Sequence, residues 1–379
     1  MRLIIAQPLL DKALARAKTA VNAKDTIPIR TCVLLQAEVE GRVLVRGSGE
    51  FFELEEWLPG EVAEAGGAAV PAHQLADIVR RLPSQRAITL TTKGTELALA
   101  AAPSRFTLPT RSPEDYPLVL NEAGVPEIMI SAATLIELFE KSAFAAPAED
   151  ARYYLRGVYL EAKADQTGAI RAVATDGYRL ARIERRVEGD LGKGFGVIVP
   201  RDAVLALTRI FAAADKADFV LAAGERLVRL ALADANDGAA ASLTMTARLV
   251  DGSYPEYERV LPLDNNTVIR VARKPLLTML DRIMIVCDKH HQVQFVASDG
   301  ELALSARGED PASQGSDRLS IDYTGKAIET CFNGKFLVDA VSRCTGEEIE
   351  FRFGEPRGPA LVCDPADPGA LHVVMPANR

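Results

Sequence analysis

The sequence is poor in cysteine. Its five residues, Cys32, Cys287, Cys331, Cys344 and Cys363, are scattered without a Cys-x-x-Cys pair, which excludes a disulfide framework and a zinc ribbon and predicts a reducing, cytoplasmic setting. It has no run of 18 apolar residues, and Met1–Pro8 offers only a short apolar stretch, so neither a membrane span nor a standard export signal is expected. Phosphate-binding loops are missing too. Gly47-Ser48-Gly49 lacks the third glycine and helical start of a dinucleotide loop, and no Gly-x-x-x-x-Gly-Lys occurs. The histidine pair His290-His291 points its two rings different ways, a poor arrangement for joint metal ligation. Asp176 has no second carboxylate or histidine at a motif spacing to make it an acid or base. No catalysis, metal or cofactor is expected. Positive charge is also in deficit: 44 Lys and Arg against 52 Asp and Glu leave a net −8.

What the sequence has is a globular composition and a repeat. With 48% hydrophobic and 25% charged residues, each of the two or three domains that 379 residues allow can bury a core. Amphipathic helical patterns open each third, over Pro8–Val21, Ser131–Ala143 and Arg273–Val286. A second helical pattern follows a short apolar strand in each, after Val70-Pro71, Val199-Pro200 and Phe332-Asn333, where Pro or Asn suits a helix start. Alternating runs between them predict strands, among them Val43–Arg46, Ile88–Thr91, Ala172–Thr175, Leu227–Leu232, Val293–Ala297 and Glu348–Phe353. Turn tripeptides recur as Ser48-Gly49-Glu50, Thr175-Asp176-Gly177 and Ser298-Asp299-Gly300, and the stretches 121–126 and 262–266 read as linkers. The expectation is an α+β fold of three repeated two-helix, multi-strand domains, bounded at 1–123, 124–260 and 261–379.

Charge is unevenly spread over this pattern. Five of the six helical segments are net basic; the exception, 131–141, sets Glu137 and Glu140 against Lys141. Helices facing a polyanion, with strands and loops forming an acidic exterior, would give this segregation. Scattered Lys and Arg without a base-reading element would then give sequence-independent, salt-sensitive binding. The high helix propensity of Lys and Arg accounts for the same pattern without a ligand.

Asp150-Ala151-Arg152-Tyr153-Tyr154-Leu155-Arg156-Gly157, followed by Ala174-Thr175-Asp176-Gly177-Tyr178-Arg179-Leu180-Ala181, resembles the bacterial DNA polymerase III β subunit family, the sliding clamps. Thr26-Ile27-Pro28-Ile29, Ile198-Val199-Pro200-Arg201, Leu249–Tyr257, Arg259–Pro262 and Val373–Pro376 match in the same order, so the resemblance covers the full length. It implies the DNA clamp fold, in a head-to-tail homodimeric ring with helices inside and sheets outside. Such a ring encircles duplex DNA without sequence preference and tethers a polymerase, raising its effective concentration at the primer end. The implied partners are a second copy, duplex DNA, DNA polymerase III alpha and clamp-loader subunits, and other polymerases and repair proteins, but no membrane. Implied DNA contacts are Lys24, Tyr153, Tyr154 and Arg201. An implied partner-peptide pocket is walled by Leu155, Thr175, Gly177, Tyr178, Arg179, Leu180, Pro255, Arg259, Val260, Val373, Met375 and Pro376. Ile285 and Val286 match subunit-interface positions. The tyrosines could equally serve as core or interface aromatics, the pocket residues as interdomain core, and Ile285 and Val286 as helix packing.

The sequence also departs from the family. Ser48-Gly49-Glu50-Phe51 stands where a Thr-Asp-x-Glu turn is usual, the tail Met375-Pro376-Ala377-Asn378-Arg379 lacks an apolar last residue, and Glu137, Glu140 and Glu149 lower the positive charge of the middle third. A divergent or second clamp, specialised for repair or as a protein scaffold, is the alternative reading.

Overall fold

A computed structural model describes the chain except residues 118–120, 164–167, 188–190, 213–216, 234–241, 311, 356–357 and 378–379. Asn378 and Arg379 of the divergent tail therefore lie outside the described residues.

Among the described residues six α-helices occupy the predicted places: α1 (Gln7–Ala17), α2 (Ala72–Arg80), α3 (Ala132–Ser142), α4 (Arg201–Phe211), α5 (Arg273–Met284) and α6 (Gly334–Arg343). Each begins directly after a strand. Pro8 sits in the first turn of α1, where its missing N–H costs nothing, and the Asn333 side chain accepts from the Lys335 amide at 2.9 Å to cap α6. α1 ends at Ala17, short of the predicted Val21; Ala20 and Val21 stay buried in the turn beyond it. Strand Arg42–Ser48 crosses this region so closely that a Cβ at Gly47 would lie 2.0 Å from the Ala17 carbonyl oxygen, and one at Gly49 2.0 Å from that of Ala20. The Ser-Gly-Glu turn is thus a packing requirement.

Among the described residues the strands form four antiparallel sheets. One compact unit, chiefly Met1–Ile136 and Asp202–Val250, holds two of them. Its five-stranded sheet joins Arg2–Ala6, Glu61–Glu64, Ala87–Lys93, Glu96–Ala101 and Ser104–Pro109. Its eight-stranded sheet runs Gly66–Pro71, Cys32–Ala37, Arg42–Ser48 and Phe52–Pro59 from the first third straight on into Leu243–Arg248, Leu227–Leu232, Asp218–Ala223 and Glu127–Ser131 from the middle third. The seam pairs Leu54 with Met245. The core below α1 and α2 is built from Leu3, Leu10, Leu14, Leu35, Leu75 and their neighbours, each almost fully buried and each contributing roughly 1.5–3 kcal/mol.

The other unit, chiefly Glu137–Val187 and Asp251–Arg379, repeats this plan. Its eight-stranded sheet runs Phe195–Pro200, Gly157–Ala162, Ala169–Thr175 and Arg179–Arg186 into Asp367–Val374, Ala360–Asp364, Glu348–Phe353 and Thr267–Ala272, with Leu180 opposite Val373 at the seam. Gln314–Ser320, Glu301–Arg307, Gln292–Ser298 and Ile328–Asn333 form its four-stranded sheet. Phe295, Phe332, Phe351 and Leu280 centre the core under α5 and α6. The middle third thus gives four strands to each unit. No described helix is long and apolar enough to cross a membrane.

Candidate functional site

The tight turn Thr175–Arg179 is fixed by its own side chains. Thr175 Oγ1 donates to the Arg179 carbonyl at 2.7 Å and accepts from the Gly177 amide, while Asp176 Oδ1 accepts from the amides of Tyr178 and Arg179. Gly177 holds φ +85, in the left-handed region, and a Cβ there would sit 2.9 Å from Arg152 Nη1. The turn leaves Tyr178 66% exposed. Across the seam the Met375 amide donates to the Tyr178 carbonyl at 2.8 Å, setting Met375, 40% exposed, beside it. Below them Leu180 and Val373 join Val173, Tyr257 and Leu361 in a buried apolar cluster.

Arg179 differs from a free pocket cation. Its Nε donates to Asp176 Oδ2 at 3.0 Å, its Nη1 pairs with Asp339 of α6, and its guanidinium carbon lies 4.4 Å from the Phe336 ring centre and 5.4 Å from that of Phe144. With two carboxylates and two rings already engaged, it is a wall. Leu155 is buried in the 3-10 turn Tyr153–Leu155, Pro376 is half-buried, and Pro255, Arg259 and Val260 are exposed on the connector, Arg259 paired with Glu256 at 2.5 Å. The structure therefore gathers Thr175, Gly177, Tyr178, Arg179, Leu180, Val373 and Met375; no described hydrogen bond or ion pair ties Arg259 or Val260 to them.

Arg152, which sequence reasoning quoted only as part of a motif, links this turn to the neighbouring loop. It grips Asp150 through Nε and Nη2 at 3.0 and 2.8 Å and donates to the Asp176 carbonyl at 3.0 Å. The Arg152 side chain holds the Asp150 carboxyl down, at about 2. Beside Arg152, Tyr153 is 54% exposed and meets Tyr154 edge-on, ring centres 5.8 Å apart. Gly252 packs beside both, and its φ of +131 rather than any lack of space favours glycine there, since a Cβ would be in ordinary contact at 3.4 Å from Tyr154 Cβ. Arg201 opens α4 with its amide on the Arg156 carbonyl at 3.1 Å, next to that turn, and its Nε is buried without a partner. Lys24 stands exposed on the turn after α1, with no ion pair among the described residues.

Glu137, expected to weaken the basic face of the middle third, is held between Arg185 and Lys141, each at 2.7 Å; Arg185 first, and then Lys141, keep its carboxyl down, at about 2. Its charge is spent locally. Glu140 and Glu149 remain exposed. Sequence reasoning missed Phe144, Phe336 and Asp339 because they reach Arg179 from helices distant in the chain, a contact no spacing rule reports.

Ile285, 82% exposed, follows α5, and Val286 is half-buried against Gly315, where a Cβ would lie 2.8 Å from Val286 Cγ2. Gly315 belongs to Gln314–Ser320, an outer strand of the four-stranded sheet with one edge open. In the other unit Ser104–Pro109 is likewise an outer strand, and it exposes Phe106. An exposed aromatic in an alternating run was the signal available for Phe106.

Family models described as the N-terminal, central and C-terminal domains of the DNA polymerase III beta subunit match residues 1–120, 129–256 and 258–378. The chain is 33% identical over 382 residues to the beta sliding clamp of Caulobacter vibrioides (strain NA1000 / CB15N), with 99% of each covered. It is 31% identical, at the same coverage, to the beta sliding clamp of Pseudomonas aeruginosa. Among solved structures, the DnaN sliding clamp from Bartonella birtlesii bound to griselimycin matches with a TM-score of 0.93 at 30% identity over 100% of both chains. Caulobacter crescentus pol III beta matches with a TM-score of 0.91 at 32% identity, also over 100% of both.

Proposed function

The chain belongs to the DNA polymerase III beta subunit family, and from that premise we propose that two copies close head to tail into a ring around duplex DNA. It has the three-domain clamp fold and functions as a DNA sliding clamp, a non-catalytic processivity factor. The finer reading takes the domains as 1–123, 124–260 and 261–379. DNA polymerase III alpha and clamp-loader subunits are its partners, together with other polymerases and repair proteins, in a reducing cytoplasm.

The observation that carries the ring is the pair of open outer strands, Ser104–Pro109 with exposed Phe106 in one unit and Gln314–Ser320 beside exposed Ile285 in the other. Different patches meeting in a heterologous contact that closes give a ring, and each patch offers an unpaired backbone edge and apolar surface for the other to cover. DNA is met by Lys24, Tyr153, Tyr154 and Arg201, through phosphate contacts weak enough to slide. The apolar floor under Tyr178 and Met375 takes partner peptides, with Arg179 as its rigid wall.

The test loads the protein on closed circular DNA and then linearises it. Retention on the circle and loss from the linear form is expected; equal retention on both overturns the reading. Solution mass should be about twice 40.8 kDa and fall to the monomer value in Ile285→Asp. Met375→Ala should weaken binding of a polymerase-derived peptide with the dimer intact, and unchanged affinity would remove the pocket assignment.

A further inference from the structure

We propose that the groove where the first and middle thirds meet is a second docking site, for a short peptide that sets a carboxylate side chain among apolar ones. The groove stands in the first repeat where the pocket around Met375 stands in the next, and three of that pocket's hydrogen bonds recur in it. Asp25 Oδ1 accepts the Ile27 amide at 2.8 Å as Asp150 Oδ1 accepts that of Arg152 at 2.7 Å. The Arg30 amide donates to the Ile27 carbonyl at 2.9 Å as Leu155 donates to Arg152 at 2.9 Å. The Arg248 amide donates to the Phe51 carbonyl at 2.9 Å as Met375 donates to Tyr178 at 2.8 Å. Two apolar positions of the Met375 pocket, Leu155 and Met375 itself, are therefore Arg30 and Arg248 here.

The helix on the far side differs as well. Phe336 and Asp339, the third and sixth residues of α6, hold Arg179; the third and sixth residues of α4 are Ala203 and Ala206. Ala206 lines an open groove of about 860 Å³ there, and Ala203 is buried beneath the helix. Arg209 of α4 joins Arg30 and Arg248 in lining it, and none of the three is ion-paired with a carboxylate among the described residues. Arg248 uses Nη1 on the Gly49 and Glu50 carbonyls, at 3.0 and 2.8 Å, which fixes the group and leaves its remaining N–H donors for a ligand.

The occupant follows from the balance of the lining. Asp25, Glu50 and Asp202 offset the three arginines, so the described lining carries no net charge and gives a polyanionic strand no field to follow. What it offers is local: unpaired guanidinium donors beside Leu205 and Phe51. A carboxylate flanked by apolar side chains satisfies both. The choice of a peptide rests on the peptide reading of the Met375 pocket; the anionic preference rests on the arginines alone.

The experiment uses the full chain and fluorescence anisotropy of three labelled probes of equal length: a peptide alternating aspartate and leucine, its asparagine counterpart, and oligothymidylate. Saturable binding of the aspartate peptide is expected, weakened at least about tenfold in Arg248→Met and Arg30→Leu, which install the other pocket's residues, and unchanged in Met375→Ala. Arg209→Ala, at an exposed helical position, serves if either swap fails to fold. No saturable binding, equal binding of the asparagine peptide, tighter binding of oligothymidylate, or indifference to the arginine substitutions overturns the proposal. Loss of the aspartate peptide in Met375→Ala would put it in the other pocket and also overturn it. Failure of the Met375 pocket itself is read separately, from its polymerase-derived peptide.

Discussion

Replacing Glu53 by Gln is expected to stabilise the protein above neutral pH and to change nothing in acid. Glu53 lies on strand Phe52–Pro59, between Ser48 on one neighbouring strand and Thr246 on the other, at the seam that joins the first and middle thirds. It is 7% exposed, and its Oε1 is buried without a partner. Burial, and then the neighbouring Glu55, push its carboxyl from 4.5 up to about 7, against the pull of Arg46 and Arg248. That rise corresponds to at most about 3 kcal/mol lost when the group is ionised in the folded state. Below pH 4.5 the carboxyl is protonated in folded and unfolded chains alike, and the stabilising effect of the raised value is fully present. Between 4.5 and about 7 the unfolded chain gives up its proton first, so stability falls as pH rises, and above that it is level. Glutamine has the same shape and no proton to lose. Urea unfolding followed by Trp57, the single tryptophan, on the same strand and under the Arg42 guanidinium at 4.3 Å, reports on this seam directly. A gain of about 1–3 kcal/mol near pH 8 that vanishes near pH 4 is expected. An equal gain at both pH values would assign the effect to packing, and a loss near pH 8 would mean that the carboxylate is paired; either refutes the reasoning.

Two further substitutions test other features. Gly49→Ala forces a Cβ to within 2.0 Å of the Ala20 carbonyl oxygen, backbone that cannot give way cheaply, and should cost about 3 kcal/mol or prevent folding; an unchanged thermal midpoint would show that the Ser48–Glu50 turn can move off the turn that follows α1. His372 is fully buried, both ring nitrogens lack partners, and burial, then Lys141, push its pKa down from 6.5 to about 4. The unfolded chain therefore takes up a proton that the folded one resists, so stability is lost as pH falls from 6.5 towards 4. His372→Leu should remove that loss, its advantage growing on acidification by up to about 3 kcal/mol; a pH-independent difference would contradict it.

The helices were legible because each third writes its amphipathic stripe in full, and because Pro8, Pro200 and Asn333 mark entries that physics favours locally. The turn at Thr175–Arg179 was legible for the same reason: its hydrogen bonds join residues no more than four apart. What stayed hidden was long-range. The pairing of Leu54 with Met245 joins alternating strands that would read the same with any partner, and the Asp339 contact that turns Arg179 from a free cation into a wall crosses 160 positions. Gly49 departs from a family turn in the sequence, whereas the requirement behind it belongs to Ala20 in the turn after α1, a neighbour the turn's own letters do not mention.

The sheets that run across the seams bear on how the chain can be divided. Cutting at the connector after Pro117 would strip strand Phe52–Pro59 of Leu243–Arg248 and bare a row of amides and carbonyls along its length, an invitation to aggregate. Modules recognisable by eye in the letters are therefore poor candidates for separate expression, and a deletion series intended to map binding to one third would report misfolding instead.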